Sequence, residues 1–146
     1  MQRRKGRAFE QAIASQLRAR WPDALVRRAS QAERADNPDV FCEGGPRVLA
    51  RLWLELQDAR QPTPATKLEQ AENDAMRWQA HGHRALQPIR LPVVIWHRLA
   101  ERSIQVTTRM WVLLDLVEPR EGSMRSHQEV VTLELGEFLD IVARMP

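Results

Sequence analysis

The 146-residue chain has no tyrosine, one cysteine and only two lysines among its 22 basic residues. A single thiol, Cys42, excludes an intramolecular disulfide and a cysteine-rich structural zinc site, and makes a reducing cytosol the expected home. No segment approaches the roughly 20 apolar residues needed to cross a bilayer, and the arginine-rich start lacks the hydrophobic stretch of a signal peptide. Internal repeats, heptads and low-complexity tracts are also absent. What remains is the expectation of one intracellular domain over residues 1–146, long enough to bury a single core.

Arginine is present in excess. Twenty arginines join Lys5 and Lys67 against 19 acidic residues, for a formal net charge of +3. That total is modest, and the placement says more. Arg3, Arg4, Lys5 and Arg7 crowd the start, Arg18 and Arg20 close the first helical pattern, and Arg27 and Arg28 follow soon after. Together with Ser30 and Arg34 in the polar stretch 29–37, residues Arg4, Lys5, Arg7, Arg27 and Arg28 are candidate contacts to nucleic-acid phosphates.

Apolar periodicity divides the chain. Phe9, Ala12, Ile13 and Leu17 recur at three- and four-residue spacing and predict an amphipathic helix over 4–20, with Glu10 beside the stripe. A short strand is expected over 25–28. Segments 39–41 and 47–57 suggest an antiparallel hairpin across Gly44-Gly45-Pro46. Strong helix formers from 65 or 66 to about 80 predict a second helix, and His81-Gly82-His83 reads as its exposed end, short of the three ligands a metal site needs. The apolar run 91–97 lacks alternation and suggests a strand buried on both faces, with 103–108 beside it. Segment 109–117 is ambiguous between helix and strand, 118–128 reads as a loop, 130–133 as a strand and 135–145 as a closing helix. Trp53, Trp78 and Trp96 are read as core residues, and Trp21 or Trp111 as candidates for an interface.

One strand carries an anomaly. In Leu52-Trp53-Leu54-Glu55-Leu56-Gln57 the leucines share one face, and Trp53, Glu55 and Gln57 share the other. A carboxylate on a half-buried strand costs several kcal/mol unless a cation or donor meets it, and Asp39 from the neighbouring segment would add repulsion. A hard divalent ion between the two would relieve both problems, which points to phosphodiester chemistry. The alternative is a plain salt bridge from Glu55 to Arg51 or Arg98.

In this order and spacing the residues resemble the PD-(D/E)XK nuclease superfamily, most closely its small Holliday-junction-resolvase-like branch with phage-encoded members. Lys5-Gly6-Arg7-Ala8-Phe9-Glu10 is similar to the opening helix, Pro38-Asp39 to the PD element, and Glu55-Leu56-Gln57 to the (D/E)XK element. The stretch 70–75 followed by Pro92-Val93-Val94-Ile95 is similar to the next helix and core strand. The resemblance implies an α/β fold with a mixed four- or five-stranded sheet flanked by helices. It further implies Mg²⁺ or Mn²⁺ held by Asp39 and Glu55 with Glu10 auxiliary, a homodimer, and cleavage of branched or structured DNA in the cytoplasm, the host's if the protein is phage-encoded. Gln57 stands where the family carries lysine, so the catalytic set implied is Asp39, Glu55, Gln57 and Lys67, with Lys67 or Lys5 as the replacement cation. A non-catalytic nucleic-acid-binding or assembly module on the same fold is the competing expectation.

Overall fold

The computed structural model describes residues 2–30, 37–117 and 127–145, with side chains described from residue 6 onward. The first helix, α1 (Gln2–Arg20), buries Phe9, Ile13 and Leu17 of the expected stripe, with Ala14 in place of the exposed Ala12. Strands β1 (Ala24–Arg28) and β2 (Val40–Gly44) follow, then a short helix α2 (Arg47–Arg51), strand β3 (Leu52–Ala59) and helix α3 (Pro64–Gln79). A 3₁₀ turn at Gly82–Leu86 leads to β4 (Leu91–Arg98) and β5 (Ile104–Arg109). Helix α4 (Met110–Val117), strand β6 (Val130–Glu134) and helix α5 (Leu135–Ala143) complete the fold.

The protein is α/β, and its mixed sheet has six strands in chain order, which corrects the four or five implied by resemblance. The difference lies at the two edges. β1 pairs with β2 along its whole length, and β6 likewise follows β5 from Val130 to Glu134, so neither edge is a stray segment. β3 and β4 run parallel over eight register pairs, and every other neighbouring pair is antiparallel. A parallel pair requires a crossover connection, and α3 supplies it.

The expected hairpin arm 47–57 is only half strand. Residues 47–51 coil as α2 because Pro46, at φ −57°, is preset for a helical start, its carbonyl accepts from the Leu49 N–H at 3.0 Å, and Val48 and Leu49 are buried there. The turn ahead of it uses glycines in the left-handed region, Gly44 at φ +70° and Gly45 at φ +63°. At Gly45 a Cβ would also lie 2.9 Å from the Ala24 side chain, so this turn tolerates little else. β2 and β3 consequently share a single register pair, Val40 with Leu54, and part on either side of it.

The two sheet faces are covered unequally. Leu52, Leu54 and Leu56 join α1, α4 and α5 in the main core, whereas Trp53 meets Ala71 and Ala75 of α3 in a much smaller cluster. β4 is buried on both faces from Leu91 to Ile95, as its unbroken apolar run predicts. The ambiguous stretch at 109–117 resolves as helix α4, which buries Trp111, Val112 and Leu116. Trp111 therefore belongs to the core rather than to an interface, and Trp21 packs against the same core. Among the described residues no helix is long and apolar enough to cross a membrane.

Candidate functional site

Asp39 stands one residue ahead of β2, where the ladder between β2 and β3 gives out. Its N–H donates to the Leu54 carbonyl at 2.9 Å and its carbonyl accepts from the Ala29 N–H at 2.9 Å. Pro38 has no N–H to continue the pattern. Instead the Asp39 Oδ2 accepts from the Leu56 N–H at 2.9 Å, so a side-chain oxygen takes over where a backbone acceptor would otherwise stand. That bond ties the carboxylate to the strand that carries Glu55.

Glu55 is 7 % exposed, on the face of β3 turned toward α3. The Trp53 indole donates to its Oε1 at 3.1 Å, and Lys67 Nζ lies 3.5 Å from its Oε2. Burial chiefly, and then the charge of the neighbouring Asp39, push the Glu55 carboxyl up to about 8; Lys67 and the indole pull the other way. The two acidic groups thus lie within electrostatic and hydrogen-bonding reach of each other on one face. The salt bridges weighed from sequence are not made. Arg51 pairs with Asp115 at 3.0 Å and Arg98 with Glu101 at 3.7 Å.

Gln57 is engaged with the start of α3. Its Oε1 accepts from the Thr63 N–H at 2.9 Å and its Nε2 donates to the Thr63 Oγ1 at 3.2 Å. Thr63 is the N-cap of α3, and Lys67 is the fourth residue of that helix. The Lys67 N–H closes the first turn on the Thr63 carbonyl at 3.0 Å. Gln57 therefore fastens β3 to the start of the helix that presents Lys67. Lys67 occupies the cationic place beside Glu55.

Glu10 is also buried, at 7 % exposure, but its Oε2 accepts from Arg28 Nε at 3.0 Å. Among the described residues no group of three His, Cys, Asp or Glu side chains is arranged to hold a metal, so the expected third acidic ligand is not delivered to Asp39 and Glu55. Arg28 is engaged with Glu10, while Arg27 lies over the Phe41 ring at 4.4 Å. Arg7 and Ser30 are exposed. The side chains of Arg4 and Lys5, and all of Arg34, lie outside the described residues. His81 and His83 are exposed, at the turn after α3, as expected.

Sequence reasoning missed three participants: Trp53 as the donor to Glu55, and Arg90 with Trp78, whose guanidinium and ring lie 4.3 Å apart beside the site. Alternation placed Trp53 on the right face, so its bond to Glu55 two residues on was legible. Nothing local announces Arg90. No family model, curated protein or solved structure matches this chain. Its chemistry is therefore read from the geometry. Two carboxylates form an oxygen donor set suited to a hard divalent ion, and a doubly positive charge would offset the repulsion that raises Glu55. With only two acidic donors, water and substrate phosphate would complete the coordination, the usual habit of Mg²⁺.

Proposed function

We propose that this protein is a Mg²⁺- or Mn²⁺-dependent endonuclease that hydrolyses phosphodiester bonds in DNA. The observation that carries the reading is the convergence of Asp39, Glu55 and Lys67, from the segment ahead of β2, from β3 and from α3, on one face of the sheet. A structural role explains such a group poorly, because a lone Lys67 leaves the second carboxylate uncompensated and Glu55 raised. A divalent ion held by Asp39 and Glu55 supplies the positive charge that a phosphate needs as negative charge develops on it. The chain's own groups do the rest. Asp39 is held in place by the Leu56 N–H and Glu55 by the Trp53 indole, and the Lys67 ammonium, 3.5 Å from Glu55 Oε2, would stand where it could meet a phosphate oxygen. Gln57 keeps α3, and so Lys67, at the required distance.

The reading includes a homodimer, since branched DNA presents two strands related by a two-fold axis, and a cytoplasmic site of action. Its test is incubation of the pure protein with junction, flap and linear DNA plus Mg²⁺ or Mn²⁺, beside Asp39→Asn. Metal-dependent cleavage that the variant lacks supports it; no cleavage of any substrate, or cleavage unchanged in the variant, defeats it. A second reading, a nucleic-acid-binding module without catalysis, is favoured by one observation: Glu10 is held by Arg28 instead of completing an acidic triad. Calorimetric titration with Mn²⁺ separates the two, because a catalytic site binds the ion and Glu55→Ala abolishes that binding.

A further inference from the structure

A cavity of about 330 Å³ opens beside the carboxylates. It is lined by Asn37 and Pro38, the two residues ahead of Asp39, and by Trp53, the donor to Glu55. Phe41 alternates with core-facing Val40 and Cys42 along β2, so it falls on the same face as Asp39, and it too lines the cavity. Residues that flank Asp39 and hold Glu55 thus line the cavity.

Its walls have an unusual composition. Arg27 lies over the Phe41 ring at 4.4 Å and Arg90 over the Trp78 ring at 4.3 Å, and all four side chains line the space. Arg84 lies over Trp78 as well, at 4.8 Å. Arg90 donates to the Ala50 carbonyl and, at 3.2 Å, to Gln87 Oε1, yet its Nε is buried without a hydrogen-bond partner. No carboxylate among the described residues pairs with Arg90. Burial, with Arg51 and Arg84 nearby, holds its pKa below the ordinary value, the mark of a crowded positive site short of negative charge. Glu43 is the acidic residue on the lining. A larger hollow of about 1030 Å³ shares Arg90 and Ala50, but no aromatic ring lines it and Arg51 there is already paired with Asp115.

Guanidinium groups against aromatic rings, in a space this size, suit one class of ligand well. Single-stranded nucleic acid is held by stacking of bases on aromatic and arginine planes and by cations along its backbone. A cavity near the small end of the ligand-binding range has room for one nucleotide and excludes duplex. We propose that the pocket formed by Arg27, Phe41, Trp78 and Arg90 receives one unpaired deoxynucleotide adjoining the phosphate at Asp39 and Glu55. The substrate would then be DNA carrying a single-stranded segment, as at a tail, flap or fork, rather than uninterrupted duplex. The position of the cleaved bond rests on the nuclease reading above; the binding of the unpaired nucleotide does not.

Fluorescence anisotropy in EDTA, where no metal-dependent cleavage occurs, tests the binding alone. The probes are one labelled duplex, the same duplex with a single-stranded tail of either polarity, and the tailed duplex with abasic sites beside the junction. The wild type is expected to bind one tailed form about tenfold tighter than plain duplex, and to lose that preference with the abasic tail. Arg27→Gln and Arg90→Gln should each bring the preference close to one, with the Arg27 variant decisive by itself if Arg90→Gln lowers the melting temperature. Equal affinity for tailed and plain duplex, a preference that survives abasic substitution, or a preference unchanged in folded Arg27→Gln overturns the proposal. Cleavage is assayed separately with Mg²⁺. Tail preference without cleavage sinks the nuclease reading and leaves this one standing, whereas cleavage without tail preference does the reverse.

Discussion

The two faces of β3 are built from alternate residues of one six-residue run and have opposite characters. Leu52, Leu54 and Leu56 enter a broad apolar core shared with α1, α4 and α5, where burial is straightforwardly stabilising. Trp53, Glu55 and Gln57 face α3, with a smaller apolar cluster and a carboxyl raised to about 8. One face stabilises the sheet. The other holds a polar group in an unfavourable setting, which persists because the first face, β4 buried on both sides and the clamp at Thr63 keep the backbone in place.

Breaking the polar face should have the largest effect, a loss of activity without a loss of stability. Asp39→Asn or Glu55→Gln is expected to lower the single-turnover cleavage rate by about a thousandfold or more, since several kcal/mol of charge stabilisation depends on them. The melting temperature in both variants should stay at or above that of the wild type. Breaking the apolar face should do the opposite. Leu54, 1 % exposed, when cut to alanine is expected to lose about 3 kcal/mol in urea unfolding, while the folded fraction still binds Mn²⁺.

A smaller effect sharpens the contrast. The folded pKa of Glu55 is raised, so its contribution is fully present below the ordinary value of 4.5 and is lost as the pH climbs through about 8. Metal-free protein should therefore melt at progressively lower temperature between about pH 5 and pH 8, Glu55→Gln should flatten that slope, and at about pH 8 the variant should be the more stable of the two. Mn²⁺ should restore the wild type most at the alkaline end, where proton competition has ended. A slope unchanged by Glu55→Gln would remove the electrostatic basis of the comparison. The smallest effect belongs to Gln57→Ala, which releases the Thr63 clamp at a cost of about 1 kcal/mol. Its cleavage rate should fall with Mn²⁺ affinity retained, and Thr63→Val should reproduce part of the loss by removing the hydroxyl. An unchanged rate in Gln57→Ala would show that Lys67 needs no such support.

Much of this was legible along the chain. Period-two alternation marked the faces of β3, the unbroken run of β4 marked its double burial, and the three-to-four spacing marked α1 and α3, because each of these signals is local. Helix α2 escaped notice since five residues are too few for a period, although Pro46 ahead of Arg47–Arg51 was a usable helix-start signal. Helix α4 was undecidable from sequence because Met110–Val117 is almost wholly apolar and shows no face. The partners of charges were the least legible part. Glu10 with Arg28, Arg51 with Asp115 and Arg109 with Glu72 at 2.8 Å join residues far apart in sequence. With 20 arginines available, composition offers each acid many candidates and no means of choosing.

Helices α1 and α3 and strands β3 and β4, the placement of Glu55 opposite the leucines, and the scarcity of lysine that singles out Lys67 follow from the chain itself, since propensity and alternation act between neighbours. Which cation reaches Glu55, that Gln57 clamps Thr63, and that Arg90 stacks on Trp78 were decided only by folding. The parallel pairing of β3 with β4 swings α3 back across the sheet, and that crossover brings Lys67 and Trp78 to the face from which Glu55 projects.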